Sequence, residues 1–283
     1  MCIVHGQWLF LIENGAEVND FIRAFENTPL HFAVLNNNLE LIKFLLDKGV
    51  SIDEKNQHYT PLHFAVQHNS SELVEMLVKC VFVDAMNEKH QTPLLLAAEK
   101  GFLEIAKLLL MNGAQVNGTN VSGRDTPLHL AVRNNRIELV EILLEQGALI
   151  DINSKKLLHD AVKYECFEIC EVLTNNGANP NYSKDGHLPL HSAIKSGRTD
   201  IVALLLDAKS NVDAVDESGK TPIDYSVEHA KNENGTEIFK LLLANGATVY
   251  KNLLHNVVKM SALRSVKNII LMKLVVYKLQ NFC

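Results

Sequence analysis

The chain has 283 residues, 47% of them apolar and 21% charged, which excludes an intrinsically disordered chain and leaves ample material for a packed core. A net charge of −6 argues against nucleic acid as the main ligand. Five cysteines in a chain of this length form no disulfide framework and fit reduced, intracellular thiols.

The first element expected is an apolar helix end, Trp8 to Ile12, followed by Glu13-Asn14-Gly15-Ala16. It is too short for a secretory leader and lacks a basic region before it. Next comes Thr28-Pro29-Leu30-His31, which returns as Thr60-Pro61-Leu62-His63 and Thr126-Pro127-Leu128-His129, with Thr92-Pro93-Leu94-Leu95 as a near copy. Weaker copies follow at Lys156-Leu157-Leu158-His159, Leu188-Pro189-Leu190-His191, Thr221-Pro222-Ile223-Asp224 and Asn252-Leu253-Leu254-His255. Threonine can cap a free backbone N–H, and proline in the first turn loses no helical hydrogen bond, so each copy predicts a helix start. A small Ala, such as Ala33, Ala65 or Ala131, lies on the same face and permits close helix approach.

After a short polar break each copy has an acidic residue and a Leu-rich run, as in Glu40-Leu41-Ile42 and Glu138-Leu139-Val140. This predicts a second helix with an acid at its positive end. The run usually stops at Gly-Ala, as in Gly113-Ala114, Gly147-Ala148 and Gly177-Ala178, where glycine suits a left-handed cap. Between copies, stretches such as Val50-Ser51-Ile52-Asp53 alternate like a short hairpin arm. The fifth copy leaves too few residues between Ile150 and Lys156 for a full arm, and the seventh inserts a loop-like Lys231-Asn232-Glu233-Asn234-Gly235.

A repeat of about 32 to 34 residues predicts a solenoid in which each unit packs on its neighbours. The pattern resembles the ankyrin repeat over roughly residues 8 to 255. The resemblance implies an all-α solenoid of helix-turn-helix units with short β-hairpin fingers. It also implies that the Thr and His of the motif, as in Thr60 with His63 and Thr126 with His129, make hydrogen bonds within and between repeats. The expected division is a truncated repeat over 1–27, seven repeats over 28–251 and a basic terminal repeat or cap over 252–283. The seven begin near 28, 60, 92, 126, 156, 188 and 221. Residues 251–283 carry six cations and no acid, leaving −12 on the remainder. Their apolar stretch, Ile269 to Leu279, is broken by Lys273 and Lys278 and falls short of a membrane span.

No phosphate loop, nucleophile elbow or His-Glu-x-x-His pattern is present, so neither catalysis nor a cofactor is expected. Of the twelve histidines, six occupy the motif slot, about one helix spacing apart (~8–10 Å), which is too far for shared zinc ligation. Cys166 and Cys170 are expected to pack in the core, and Cys80 to lie at an apolar helix position.

The family resemblance implies a protein or peptide partner held on a concave face of finger tips and first helices. On the fingers this points to Lys55, Gln57, His58 and Tyr59, to Glu88, Lys89, His90 and Gln91, to Lys184, Asp185 and His187, and to Glu217, Ser218 and Lys220. On the first helices it points to Gln67 and His68, Glu99 and Lys100, Arg133 and Asn134, Lys163 and Tyr164, and Lys195 and Ser196. Tyr59, Arg133 and Tyr164 are the expected anchors, because Tyr and Arg are enriched at hot spots. His58 and His90 would make binding respond to pH between about 6 and 7 if they touch a partner. Leu11 to Asn19 also resembles the context in which ankyrin-repeat asparagines are hydroxylated, with Asn19 the acceptor.

The expected function is a non-enzymatic, monomeric interaction scaffold in the cytoplasm or nucleus. Alternatives are a substrate-recognition subunit of a ubiquitin ligase, a microbial or viral effector, or a fragment of a larger membrane-acting repeat protein of latrotoxin or channel type.

Overall fold

A computed structural model describes residues 27–53, 56, 59–118, 125–150, 157–183, 188–229, 233–250 and 253. The truncated N-terminal repeat, Asn19, the short fifth arm and the basic segment 254–283 lie outside the described residues. Two compact units divide at Leu149 and Ile150.

Among the described residues the first unit contains four helix pairs. They are α1 (Pro29–Leu35) with α2 (Leu39–Asp47), α3 (Pro61–Gln67) with α4 (Ser71–Leu77), α5 (Pro93–Lys100) with α6 (Leu103–Met111), and α7 (Pro127–Arg133) with α8 (Ile137–Glu145). The second unit contains α9 (Leu157–Lys163) with α10 (Phe167–Asn175), α11 (Pro189–Lys195) with α12 (Thr199–Asp207), and α13 (Pro222–His229) with α14 (Glu233–Ala244). Within each unit the helices of a pair pack on each other, and each first helix packs on the first helix of the next pair.

The core follows from the spacing in the sequence. Leu30, Leu62, Leu94 and Leu128 on the first helices, with Ala33, Ala65, Ala97 and Ala131 one turn on, are at most 1% exposed. Ile42, Leu45, Ile105, Leu109, Val140 and Leu143 face them from the second helices and are fully buried. Each such large side chain contributes about 1.5–3 kcal/mol by leaving water. The first turns of the second helices hold Glu40, Glu72, Glu104, Glu138, Glu168 and Asp200, as the dipole favours. Gly113, Gly147, Gly177 and Gly246 take φ between +83° and +92° just past those helices, a region in which any Cβ is strained.

Three expectations are sharpened or corrected. No described residue lies in a strand, and the described finger before Thr92 is closed by turn hydrogen bonds. In the second copy the Asn87 N–H donates to the Gln91 carbonyl at 3.0 Å, while the Asn87 side chain accepts the Gln91 N–H at 2.8 Å. Side-chain oxygens thus satisfy part of what a ladder would. Second, Cys80 is exposed in the turn beyond α4. That helix has 7 residues against 9 in α6, and no Gly-Ala pair follows it. Third, Glu233, Asn234 and Gly235 are not loop but the first turn of α14, a 12-residue helix. Asn234 Nδ2 donates to the Gly197 carbonyl at 3.3 Å, and Gly235 is buried.

Candidate partner-binding surface

The motif histidines position the fingers. Thr28 caps α1, its Oγ1 accepting the His31 N–H at 3.3 Å. His31 Nδ1 sits 2.7 Å from Thr28 Oγ1 and 3.2 Å from the Thr28 N–H, while Nε2 lies 2.9 Å from the Tyr59 carbonyl. A carbonyl can only accept, so Nε2 carries the proton and Nδ1 accepts from the threonine. Thr60 with His63 repeats the arrangement, and His63 Nε2 donates to the Gln91 carbonyl at 2.9 Å. Thr126 and His129 form the same cap, with 2.8 Å between Oγ1 and Nδ1. Each bridge ties a first helix to the backbone just before the next one. Burial, only partly offset by its bond to Tyr59, holds the His31 pKa below the ordinary value.

Side chains at the finger bases add a second set of links. In the first unit Asp53 Oδ1 accepts the Phe82 N–H, Asp84 Oδ1 the Gln115 N–H and Asn117 Oδ1 the Leu149 N–H, at 2.9, 3.0 and 2.9 Å. In the second unit Asn181 and Asp213 do the same for Asn211 and Thr248.

With this frame fixed, the candidate contact residues fall into two groups. Gln67, His68, Glu88, Lys89, His90, Glu99, Lys100 and Asn134 are exposed in the first unit, as are Lys163, Tyr164, Lys195, Ser196, Glu217 and Ser218 in the second. The small alanines two or three residues before the helical members are buried, so the helices present these positions outward at each repeat. His90 sits at its finger tip with φ +54°, the conformation Gly219 takes at φ +72° in a later finger. Lys55, Gln57, His58, Lys184, Asp185 and His187 lie outside the described residues.

The second group is already engaged. The Tyr59 ring packs edge-on against Phe64, centroids 5.4 Å apart, and lies 6.0 Å from His63. Arg133 pairs with Asp125 at 2.9 Å, and Gln91 donates to Glu99 at 2.7 Å. Two of the three expected anchors therefore have structural tasks, while Tyr164 is 48% exposed with Lys163 over its ring.

One cluster escaped the sequence reading. Tyr225, 7% exposed, donates to Asp216 Oδ2 at 2.6 Å and stacks edge-on with His191 at 5.5 Å. The ammonium groups of Lys195 and Lys220 lie 4.3 and 5.2 Å from its ring centroid, and Lys220 also pairs with Glu228 at 2.7 Å. Burial works against the charge on Asp216, but donors from Tyr225, Ser218 and Lys220 outweigh it and hold its carboxyl below the usual carboxylate range. The available signal was that Tyr225 occupies the slot of Phe32 and Phe64, immediately after the motif.

Among the described residues no group of His, Cys, Asp and Glu could hold a metal ion, and no helix is long and apolar enough to cross a membrane. Cys166 and Cys170 are buried thiols; burial, then the neighbouring Cys166, pushes Cys170 up to about 12.

Comparison with known proteins agrees with this architecture. The family profile described as "Ankyrin repeats (3 copies)" matches residues 5–87, 80–156 and 158–252. Cortactin-binding protein 2 of Rattus norvegicus is 47% identical over 53 residues, 18% of this chain and 3% of that protein. The glycerophosphocholine phosphodiesterase gde1 of Schizosaccharomyces pombe is 35% identical over 80 residues, 28% of this chain and 7% of that one. The chain thus spans only a small part of these relatives. Among solved structures, the ankyrin-repeat domain of Bcl-3, a member of the IκB family, is 27% identical with a TM-score of 0.66, covering 77% of this chain and 98% of that one. The ankyrin-repeat domain of human ASB11 is 24% identical with a TM-score of 0.63, covering 79% of this chain and all of the other. With its profile matched from residue 5 to residue 252, the chain belongs to the ankyrin-repeat family.

Proposed function

We propose that this chain is a non-enzymatic interaction scaffold that holds a folded protein or an extended peptide on its fingers and first helices. Ankyrin repeats are generally protein–protein interaction modules, and they are typically without catalytic activity. The observation that carries the finer reading is the recurrence of outward side chains at one place in successive repeats. Gln67 and His68, Glu99 and Lys100, Lys163 and Tyr164, and Lys195 and Ser196 are all exposed just after the buried alanine. The imidazole bridges to the Tyr59, Gln91 and Lys220 carbonyls hold the neighbouring fingers in place. A preordered surface loses less conformational entropy on binding, so more of the contact energy appears as affinity. We read the chain as seven repeats from 28 to 251, working inside the cell.

The test is affinity capture with quantitative mass spectrometry, using the full chain beside a Lys100→Glu, Tyr164→Ala, Lys195→Glu variant. These residues are exposed, so the fold is expected to be unchanged by circular dichroism. Partners recovered by the parent and lost by the variant support the assigned surface. Partners recovered equally by both would overturn it.

A further inference from the structure

The junction between the second and third copies departs from the other junctions in three ways that meet in one groove. The segment after α4 exposes two large apolar side chains, Phe82 at 62% and Met86 at 42%. They line a groove of about 660 Å³ in the first unit together with Asp53, Asp84, Thr92 and Gln115, among others. The remaining departure is the loss of the motif histidine: Leu95 stands where His31, His63 and His129 stand elsewhere. Thr28, Thr60 and Thr126 each place their hydroxyl 2.7 or 2.8 Å from an imidazole nitrogen. Thr92, only 4% exposed, accepts the Leu95 N–H at 3.3 Å but has no acceptor for its own hydroxyl proton among the described residues. A buried donor without an acceptor costs free energy, and this one borders the groove.

Among the described lining residues the charge at the rim has one sign. Asp53 and Asp84 each use Oδ1 to accept a backbone N–H. Neither forms an ion pair among the described residues, and Oδ2 of each has no partner there.

We infer that this groove, at the finger bases, is a second binding site, distinct from the finger-tip and first-helix surface, for an extended peptide with one large apolar side chain flanked by Lys or Arg. The apolar side chain covers Phe82 and Met86, a peptide carbonyl accepts the Thr92 hydroxyl, and the flanking cations pair with Asp53 and Asp84. Exposed aromatic and Met side chains beside complementary charge are what such recognition uses.

The experiment is fluorescence anisotropy on the full chain. The probe is a labelled peptide, Lys-Lys-Gly-Phe-Gly-Lys-Lys, and the control carries Glu in place of every Lys. Asp53→Asn with Asp84→Asn removes the charge while keeping the amide acceptor, as Asn117 does naturally for Leu149, so the fold is retained. Phe82→Ser with Met86→Ser removes the apolar rim. Saturable binding of the basic peptide is expected, weakened roughly tenfold or more by either double substitution and absent for the acidic peptide. Equal binding by parent and both variants, equal binding of the two peptides, or no saturation overturns the site. Sedimentation equilibrium covers the remaining occupant: self-association abolished by Phe82→Ser with Met86→Ser would mean a second copy fills the groove, against the proposal. The Lys100→Glu, Tyr164→Ala, Lys195→Glu variant leaves peptide affinity unchanged, so this site and the finger surface succeed or fail separately.

Discussion

The first unit joins a first helix to the adjoining finger through histidine, and the end of the second unit makes its junction through a carboxylate. His31 offers one acceptor, taken by Thr28, and one donor, given to the Tyr59 carbonyl. Asp224 occupies the same motif slot and can only accept. Its Oδ2 takes the Thr221 N–H at 3.0 Å and the Thr221 hydroxyl at 2.7 Å, as the imidazole Nδ1 does in the first unit. Its Oδ1 accepts the hydroxyl of Tyr250, so the donor has moved from the motif to the neighbour. Between these cases stands His191, which keeps its bond to the Lys220 carbonyl at 3.1 Å although Leu188 replaces the capping threonine. Tyr225 packs edge-on against that imidazole. Where the slot holds His or Asp, a matched donor and acceptor spans the junction and the residue supplying each half is replaceable; Leu95 supplies neither.

The largest effect that tests this comparison is a core deletion in one unit. Leu109→Ala should cost about 2–5 kcal/mol, because Leu109 is fully buried. Hydrogen exchange read by mass spectrometry should show the loss of protection concentrated in residues 28–149. An equal loss beyond residue 157 would mean that the two units unfold as one.

Exchanging the motif residues comes next. His63→Asp sets a carboxylate against the Gln91 carbonyl, acceptor against acceptor, whereas Asp224→His meets a Tyr250 hydroxyl that can accept as well as donate. His63→Asp should cost about 1–3 kcal/mol in urea denaturation, the penalty for a buried polar group facing an unsuitable partner, and Asp224→His should cost less. Adding Tyr250→Phe to Asp224→His should deepen the loss, because it removes the acceptor. A neutral outcome for His63→Asp would refute the donor–acceptor account.

Acid should separate the junctions in sequence. The folded pKa of His31 is depressed, so the native state binds fewer protons than the unfolded one below the unfolded value near ~6.5. The stability it contributes is complete above that value and is lost as the pH falls through the folded pKa. Asp216 is also depressed, but from a carboxylate reference near ~3.9, so its contribution persists to lower pH. Denaturation midpoints between pH 7 and 3 should therefore fall first for the parent. A His31→Gln variant should show a flatter response above pH 4.

Thiol chemistry and surface changes give the smallest effects. Cys80 should react with a maleimide in the native protein, whereas Cys166 and Cys170 should be protected by burial and a raised pKa. Peptide mapping locates the adducts. Tyr164→Ala should change stability by no more than about 0.5 kcal/mol.

The repeat, its helix starts and its alanine and leucine core could be read from the chain because each rests on local chemistry at a fixed interval. Thr28, Thr60 and Thr126 cap as their motif implies, and the glycines after the Leu-rich runs turn left-handed. The candidate contact surface was only half legible. Exposure after each buried alanine follows from helical period, which places Gln67, Lys100 and Tyr164 outward. The tasks of Tyr59 and Arg133 do not, since Phe64 and Asp125 reach them through the fold. The groove between the second and third copies shows as a missing histidine at Leu95, but its meaning depends on Phe82 and Asp53, which come from other repeats.

The finger-base links lie in series along the chain. Asp53 to Phe82, Asp84 to Gln115 and Asn117 to Leu149 span 29, 31 and 32 residues. A pull applied to the ends of the first unit loads one rung before the next. Each rung that yields releases on the order of 100 Å of extended chain. Stretched in an optical trap, this unit should lengthen in steps of about one repeat, so that a tethered partner would be let go gradually rather than in a single snap.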